Sequence, residues 1–190
     1  MNYYDRYAEK YFVETINLNL TERHDRFLSA FKKKPRNLLD VGCGSCRDTL
    51  AFLNMGIEVL PMDNSIELAK VVHRELGIDV LVEDIRSWKS FMVFDAIWAC
   101  ASLLHLSRKE MIETLKNLKT NLTEDGLLYF SVKDVSFKSS ESSDDRFFEY
   151  YTREELEEIL IDLGFNVVDF WINLDERRPT LKWLNFVVSK

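Results

Sequence analysis

Asp40-Val41-Gly42-Cys43-Gly44-Ser45-Cys46-Arg47-Asp48 is the stretch that decides the fold. Asn37 to Val41, which leads into it, is a short apolar run and reads as a strand buried on both faces. Arg47 to Met55, which follows, reads as a helix with Gly56 at the C′ position. Gly42 and Gly44 therefore fall between the first strand and its helix, where an open α/β sheet binds ligands. Glycine lets the backbone pass close to a ligand. The helix start adds unpaired N–H groups and a partial positive end, which suit a carboxylate or a phosphate.

Working outward, strand-like and helix-like segments alternate from about residue 36, which argues for an α/β layer fold. Ile57 to Met62 reads as a second strand, Asp79 to Val82 as a third, Phe94 to Cys100 as a fourth and Leu127 to Val132 as a fifth. Asn64 is placed to cap the second helix, with Glu67 as its box partner and Gly77 as its stop. Ser107 with Glu110, and Thr152 with Glu155, are further capping boxes, and the latter's helix stops at Gly164. Glu124-Asp125-Gly126 reads as a turn, and the polar run 139–145 as a loop. Asn166 to Ile172 and Leu184 to Val188 are joined too closely for a crossover helix, so they form an antiparallel hairpin.

The chain has 190 residues, which fits a single domain. We divide it into an N-terminal helical lid segment (1–35), a core (36–134), and a lid loop, helix and C-terminal hairpin (135–190). Its net charge of -7 argues against a broad nucleic-acid footprint. The Lys32, Lys33, Lys34 and Arg36 cluster reads as a solvated helix end. There is no secretory signal pattern and no apolar run long enough for a membrane span. Three cysteines are too few for a disulfide framework, and a cytoplasmic setting is expected.

Asp63 lies 21 residues after Gly42, at the end of the second strand, where an acidic side chain can accept from two ribose hydroxyls. The alternative for Asp63 is a plain turn residue, and for Asp40 a hydrogen bond to loop amides. A dinucleotide fingerprint requires a third glycine where Arg47 stands, so a nicotinamide cofactor is the weaker reading.

Asp40 to Asp48 resembles the first motif of the class I S-adenosylmethionine-dependent methyltransferases, and more narrowly the small bacterial tellurite-resistance-like group. The likeness extends through Val59 to Asp63, Glu83-Asp84-Ile85, Phe94 to Ala99, Asp125 to Tyr129, and Tyr151-Thr152 to Gly164-Phe165. It implies a Rossmann-like seven-stranded, mostly parallel sheet with helices on both faces and the last strand antiparallel. It implies S-adenosylmethionine as cofactor, with Asp40, Gly42, Cys43, Gly44 and Asp48 around the methionine part. Asp63 and Asn64 would lie at the ribose, Asp84 and Ile85 at the adenine, and Ala99 beneath the sulfonium. Cys46 stands where the family usually has a third glycine.

Cys43 and Cys46 also form a C-x-x-C before a helix, a redox pattern. That reading leaves Asp63 and Asp84 without a role. A zinc site would need ligands from Cys100, His24, His73 or His105, which are scattered, and no metal is expected.

Positioning contributes most to a methyl transfer, and a base matters only if the nucleophile must lose a proton. His105, after the fourth strand, is the candidate general base, with a structural histidine as the alternative. Tyr7 and Tyr11 in the N-terminal stripe (Tyr3, Tyr4, Tyr7, Tyr11), together with Lys133, Arg146 and Tyr150, are candidate substrate contacts. Phe147, Arg177 and Arg178 are further lid and hairpin positions. The expected partner is a small-molecule methyl acceptor of a monomer or homodimer. The alternatives are a tRNA base and a non-catalytic protein that binds the cofactor.

Overall fold

The computed structural model describes residues 2–137, 146–175, 178 and 180–190. Three helices open the chain: α1 (Tyr3–Arg6), α2 (Ala8–Thr15) and α3 (Thr21–Ser29). The strand β1 (Asn37–Val41) is followed by α4 (Arg47–Asn54), β2 (Glu58–Asp63), α5 (Ile66–Leu76) and the short β3 (Leu81–Val82). Next come β4 (Phe94–Ala99), α6 (Arg108–Thr120) and β5 (Leu122–Asp134). The two-residue β6 (Tyr150–Tyr151), α7 (Arg153–Asp162), β7 (Asn166–Leu174) and β8 (Lys182–Ser189) complete the chain.

The sheet order is β3-β2-β1-β4-β5-β8-β7, with β6 paired beside the end of β5. Strand β8 runs antiparallel to both β5 and β7, and the other pairings are parallel. The expected Rossmann-like sheet is therefore present, with β6 as an eighth strand. Alternation along the strands builds two cores, one on each face. Leu39, Ile97, Leu128 and Phe130 face Leu115, Leu118, Leu156 and Leu160 of α6 and α7. Leu38, Ala96, Trp98 and Tyr129 face Phe27 of α3 and Phe52 of α4.

Two local expectations change. Ser65, not Asn64, caps α5, its Oγ accepting from the Leu68 amide at 3.2 Å. Asp63 Oδ1 accepts from the Ser65 amide at 2.9 Å, and this sets the cap one residue later. Gly126 lies inside a longer β5, where the register with β4 shifts between Phe94 and Ala96. A Cβ at Gly126 would come within 3.0 Å of the Thr123 backbone, so glycine permits an irregularity within the strand instead of a turn before it. The capping boxes at Ser107 and Thr152 are both closed as read.

Candidate functional site

The C-terminal ends of β1, β2 and β4 open on the same side of the sheet. The β1–α4 loop turns there through three left-handed residues, Gly42 (φ 69), Gly44 (φ 57) and Cys46 (φ 59). The Gly42 and Cys43 amides both donate to the Met62 carbonyl, at 2.8 and 2.9 Å, and lock the loop over β2. A Cβ at Gly42 would lie 2.4 Å from Ser102 Cβ, and one at Gly44 would lie 3.2 Å from the Tyr11 ring. These glycines thus admit the loop after β4 and the helix α2 to the edge of the site.

Two adjoining cavities lie here. The first, about 270 Å3, is lined by Gly42, Gly44, Asp63, Asn64, Asp84 and Ile85, with Cys100, Ala101 and Ser102 after β4. Tyr4, Tyr11, Arg146 and Phe147 also line it. The second, about 160 Å3, shares Gly42, Gly44, Tyr4, Tyr11, Cys100, Ala101, His105 and Arg146 with the first. Cys43, Asp48, Lys133 and Arg178 line the second cavity.

Asp63 Oδ2 accepts from the Gly44 amide at 3.0 Å while Oδ1 accepts from Ser65. A carboxylate offers about four lone-pair sites, and with the Ser65, Gly44 and Asn64 amides on it at least one remains for a ligand hydroxyl. Burial raises the Asp63 carboxyl above the usual range, and the Ser65 and Gly44 amides oppose that. Asp84 is held by Arg86, whose amide donates to Oδ1 at 2.9 Å and whose guanidinium pairs with both oxygens. The hydrogen bonds from Arg86 lower the Asp84 carboxyl. The sequence reading did not include this clamp.

Asp48 lies beneath the loop. It accepts from Arg47 Nε at 2.9 Å and from Trp98 Nε1 at 3.0 Å, and it meets His24 Nε2 at 2.9 Å. Burial pushes its carboxyl up, but the adjacent Arg47 charge and the His24 contact override that and hold it well below the usual range. Asp40 behaves oppositely. Burial and then the Asp48 charge raise it to about 8, and Thr49 Oγ1 donates to it at 2.6 Å. Asp40 lines neither cavity, so its place is below the loop and not against a ligand.

Ala99 is fully buried in the core under α6, and the cavity wall falls instead to Cys100, Ala101 and Ser102. Ala101 has φ 52, rare for a residue with a Cβ, and its amide donates to Ser131 Oγ at 2.9 Å. Ser102 Oγ is buried without a hydrogen-bond partner among the described residues. A buried hydroxyl at the wall of the first cavity fits a polar ligand there.

His105 is bonded on both ring nitrogens. Nδ1 lies 2.8 Å from the Phe147 carbonyl, which can only accept, so Nδ1 carries the proton. Nε2 then accepts from the Tyr4 hydroxyl at 2.7 Å. The lone pair a base would use already holds Tyr4, an arrangement that suits the structural alternative. Burial raises the Tyr4 hydroxyl to about 12, which keeps it a donor.

Tyr11 lines both cavities, and Tyr7 lines neither. The helical stripe breaks at Tyr7, the C-cap of α1 at φ -118, so Tyr7 packs at a tilt against Tyr3 and Tyr4 turns inward to Tyr11. Lys133 is 3% exposed rather than a surface lysine, with Nζ 3.2 Å from the Phe148 ring centroid. Tyr150 pairs with Lys133 as part of β6 and lines neither cavity. Arg146 lies over Tyr3 at 4.5 Å. Arg177 and the run 139–145 lie outside the described residues. Among the described residues, no cluster of histidine, cysteine or acidic side chains could hold a metal ion, and no helix is long and apolar enough to cross a membrane.

A family model described as "Methyltransferase domain" matches residues 7–169. A protein of Staphylococcus carnosus (strain TM300) named as an uncharacterized methyltransferase is 26% identical over 147 residues, covering 68% of this chain and 70% of its own. The N-methyltransferase NodS of Bradyrhizobium japonicum WM9, in complex with S-adenosyl-L-homocysteine, matches with a TM-score of 0.72 at 17% identity, over 100% of this chain and 99% of its own. The 1,6-didemethyltoxoflavin-N1-methyltransferase of Burkholderia thailandensis carries bound 1,6-didemethyltoxoflavin and S-adenosylhomocysteine. It matches with a TM-score of 0.67 at 20% identity, over 100% of this chain and 91% of its own. At these identities the two structures share the fold.

Proposed function

The chain belongs to the methyltransferase-domain family as an S-adenosylmethionine-dependent enzyme, and on that premise we propose that it methylates a small molecule. The observation that carries the proposal is the pair of adjoining cavities with a common wall of Tyr4, Tyr11, Gly42, Gly44, Cys100 and Ala101. One cavity suits a nucleoside and the other a second reactant. Both are roofed by the N-terminal helices and by residues 146–148, which favours a compact acceptor over a polymer. NodS and the 1,6-didemethyltoxoflavin-N1-methyltransferase, whose fold the chain shares, are methyltransferases, the latter with bound 1,6-didemethyltoxoflavin. The likeness of the loop and of the Tyr151 to Phe165 pattern supports extending the proposal to the narrower tellurite-resistance-like group.

The residues fit the cofactor. Asp63 and Asn64 would hold the ribose, Asp84 and Ile85 the adenine, and Gly42, Gly44 and Ser102 the amino-acid end. When bound, the cofactor supplies an electrophilic methyl group on a sulfonium. The chain's own part is to position and to exclude water. Tyr4 and Phe147, both tied to His105, close the roof. Tyr11 presents a partly buried ring at the common wall, where an aromatic face favours positive charge.

The test is transfer of labelled methyl from S-adenosylmethionine to two pools, a small-molecule cell extract and bulk tRNA. Label in a small-molecule fraction supports the proposal, and label in tRNA alone overturns it. Tight cofactor binding with no transfer to either pool would instead favour a non-catalytic binding protein.

A further inference from the structure

Cysteine fills a position in the glycine loop that suits it poorly. Cys46 is the N-cap of α4, yet it stands at φ 59, where a residue with a Cβ is strained. Its side chain makes no capping hydrogen bond. The thiol turns instead toward Cys43 and donates to that sulfur across 3.6 Å. The Cys46 amide donates to the Cys43 carbonyl at 2.9 Å, so the two cysteines close a tight turn through Gly44 and Ser45. Such a turn holds its end Cα atoms within about 7 Å, the separation that a disulfide spans. The two sulfurs are therefore placed to bond after a short local movement.

Both cysteines are free thiols, and they differ in access. Cys46 has no exposed surface, whereas Cys43 keeps 8% of its surface and lines the second cavity. A small oxidant that enters this cavity meets Cys43 first, with Cys46 directly behind it. The hydrogen bond from Cys46, and then burial, push the Cys43 thiol up. A thiol held protonated is a poor nucleophile, so the pair stays reduced until oxidant is in excess.

We propose that Cys43 and Cys46 are a dithiol that a hydroperoxide closes to a disulfide, and that closure weakens binding of the methyl donor. The second half rests on the methyltransferase reading above. With hydrogen peroxide, the Cys43 thiolate attacks the O–O bond and becomes a sulfenic acid, and its proton leaves with the departing hydroxide as one water. The Cys46 sulfur then attacks the sulfenic sulfur. The S–S bond forms, and the oxygen leaves with the Cys46 proton as a second water. Two thiols and one peroxide thus give one disulfide and two waters, the thiols losing two electrons to the peroxide. Gly44 and Ser45 lie between the linked residues. The Gly44 amide donates to Asp63 Oδ2 at 3.0 Å, and Ser45 Oγ accepts from Thr15 of α2 at 2.9 Å. Contraction of the turn therefore pulls on the carboxylate assigned to the ribose and on the N-terminal helices together.

The experiment treats the full chain with excess hydrogen peroxide, alkylates it in denaturant and measures its mass. Of the three cysteines, Cys100 alone should then take the alkylating agent. A digest should yield Cys43 joined to Cys46, and dithiothreitol should reverse the change. Calorimetry should show S-adenosylhomocysteine binding at least about tenfold more weakly to the oxidised chain, with affinity restored by dithiothreitol. In Cys43→Ser, treated and untreated chains should bind alike, and Cys100→Ser should keep the response of the parent. No oxidation, oxidation that stops at a single cysteine, a bond to Cys100 or a bond between two chains each overturns the proposal. So does a closed Cys43–Cys46 bond that leaves affinity within about twofold. Failure of the reduced chain to bind S-adenosylhomocysteine would count against the methyltransferase reading. That failure is distinguishable, because the mass reads closure without the cofactor.

Discussion

The Tyr4 hydroxyl donates to His105 Nε2 at 2.7 Å, while the opposite ring nitrogen donates to the Phe147 carbonyl at 2.8 Å. One imidazole therefore ties the N-terminal helix and the segment after β5 to the loop after β4. We read this as a latch on the roof of the site. Tyr4→Phe removes one tie, a part-buried hydrogen bond worth about 1 kcal/mol. S-adenosylhomocysteine should dissociate about fivefold faster from Tyr4→Phe, on the same scale. Stopped-flow release measures this, and a rate within twofold of the parent would contradict the latch.

Gly42 faces Ser102 across the site. Gly42→Ala combines a left-handed φ, which costs about 1–2 kcal/mol for a residue with a Cβ, with a contact of 2.4 Å to Ser102 Cβ. Denaturant unfolding should show a loss of more than about 2 kcal/mol. Adding Ser102→Gly should restore part of it, and additive losses in the double variant would sink the explanation.

Asp40 makes stability depend on pH in a stated direction. Its folded pKa of about 8 lies above the ordinary carboxylate value, so the folded state retains a proton that the unfolded chain releases. Stability is full below about pH 4 and falls between about 4 and 8, by at most about 1.4 kcal/mol per unit. Asp40→Asn removes this group from the titration. Its stability advantage over the parent should grow from pH 4 to 8, and a constant difference across that window would refute the assignment.

Cys46 has no exposed surface but stands at φ 59. Burial alone predicts that Val, larger and apolar, is tolerated better than Gly. The backbone predicts the reverse, because a β-branched residue is a true outlier at positive φ. Cys46→Gly should stay within about 1 kcal/mol of the parent, since relieved strain offsets lost packing. Cys46→Val should lose more than about 2 kcal/mol. Thermal unfolding decides the order.

The sequence made the sheet and its caps legible because those signals are local. Asn37 to Val41, the Ser107 and Thr152 boxes and the tight β7–β8 connection each carry their cue within a few residues. Contacts between distant segments were not legible. Asn64 and Ser65 are equally good caps on paper, and Asp63's hold on the Ser65 amide decides between them. Tyr4 and Tyr7 were alike until the break between α1 and α2 sent one inward and the other to the surface. Lys133 follows a strand, as surface lysines do, but β6 and Phe148 fold over it. The Arg86 clamp on Asp84 and the gathering of donors on Asp48 depend on side-chain geometry that spacing does not encode.

Asp63 is the residue on which the cofactor assignment rests, since it joins the glycine loop to β2 and lines the first cavity. Calorimetry with S-adenosylhomocysteine on the parent chain and on Asp63→Ala tests it most directly. The account predicts saturable binding at one site, weakened about tenfold or more by Asp63→Ala, as expected for lost hydrogen bonds to a charged group. No binding to the parent, or equal binding to both, would contradict it.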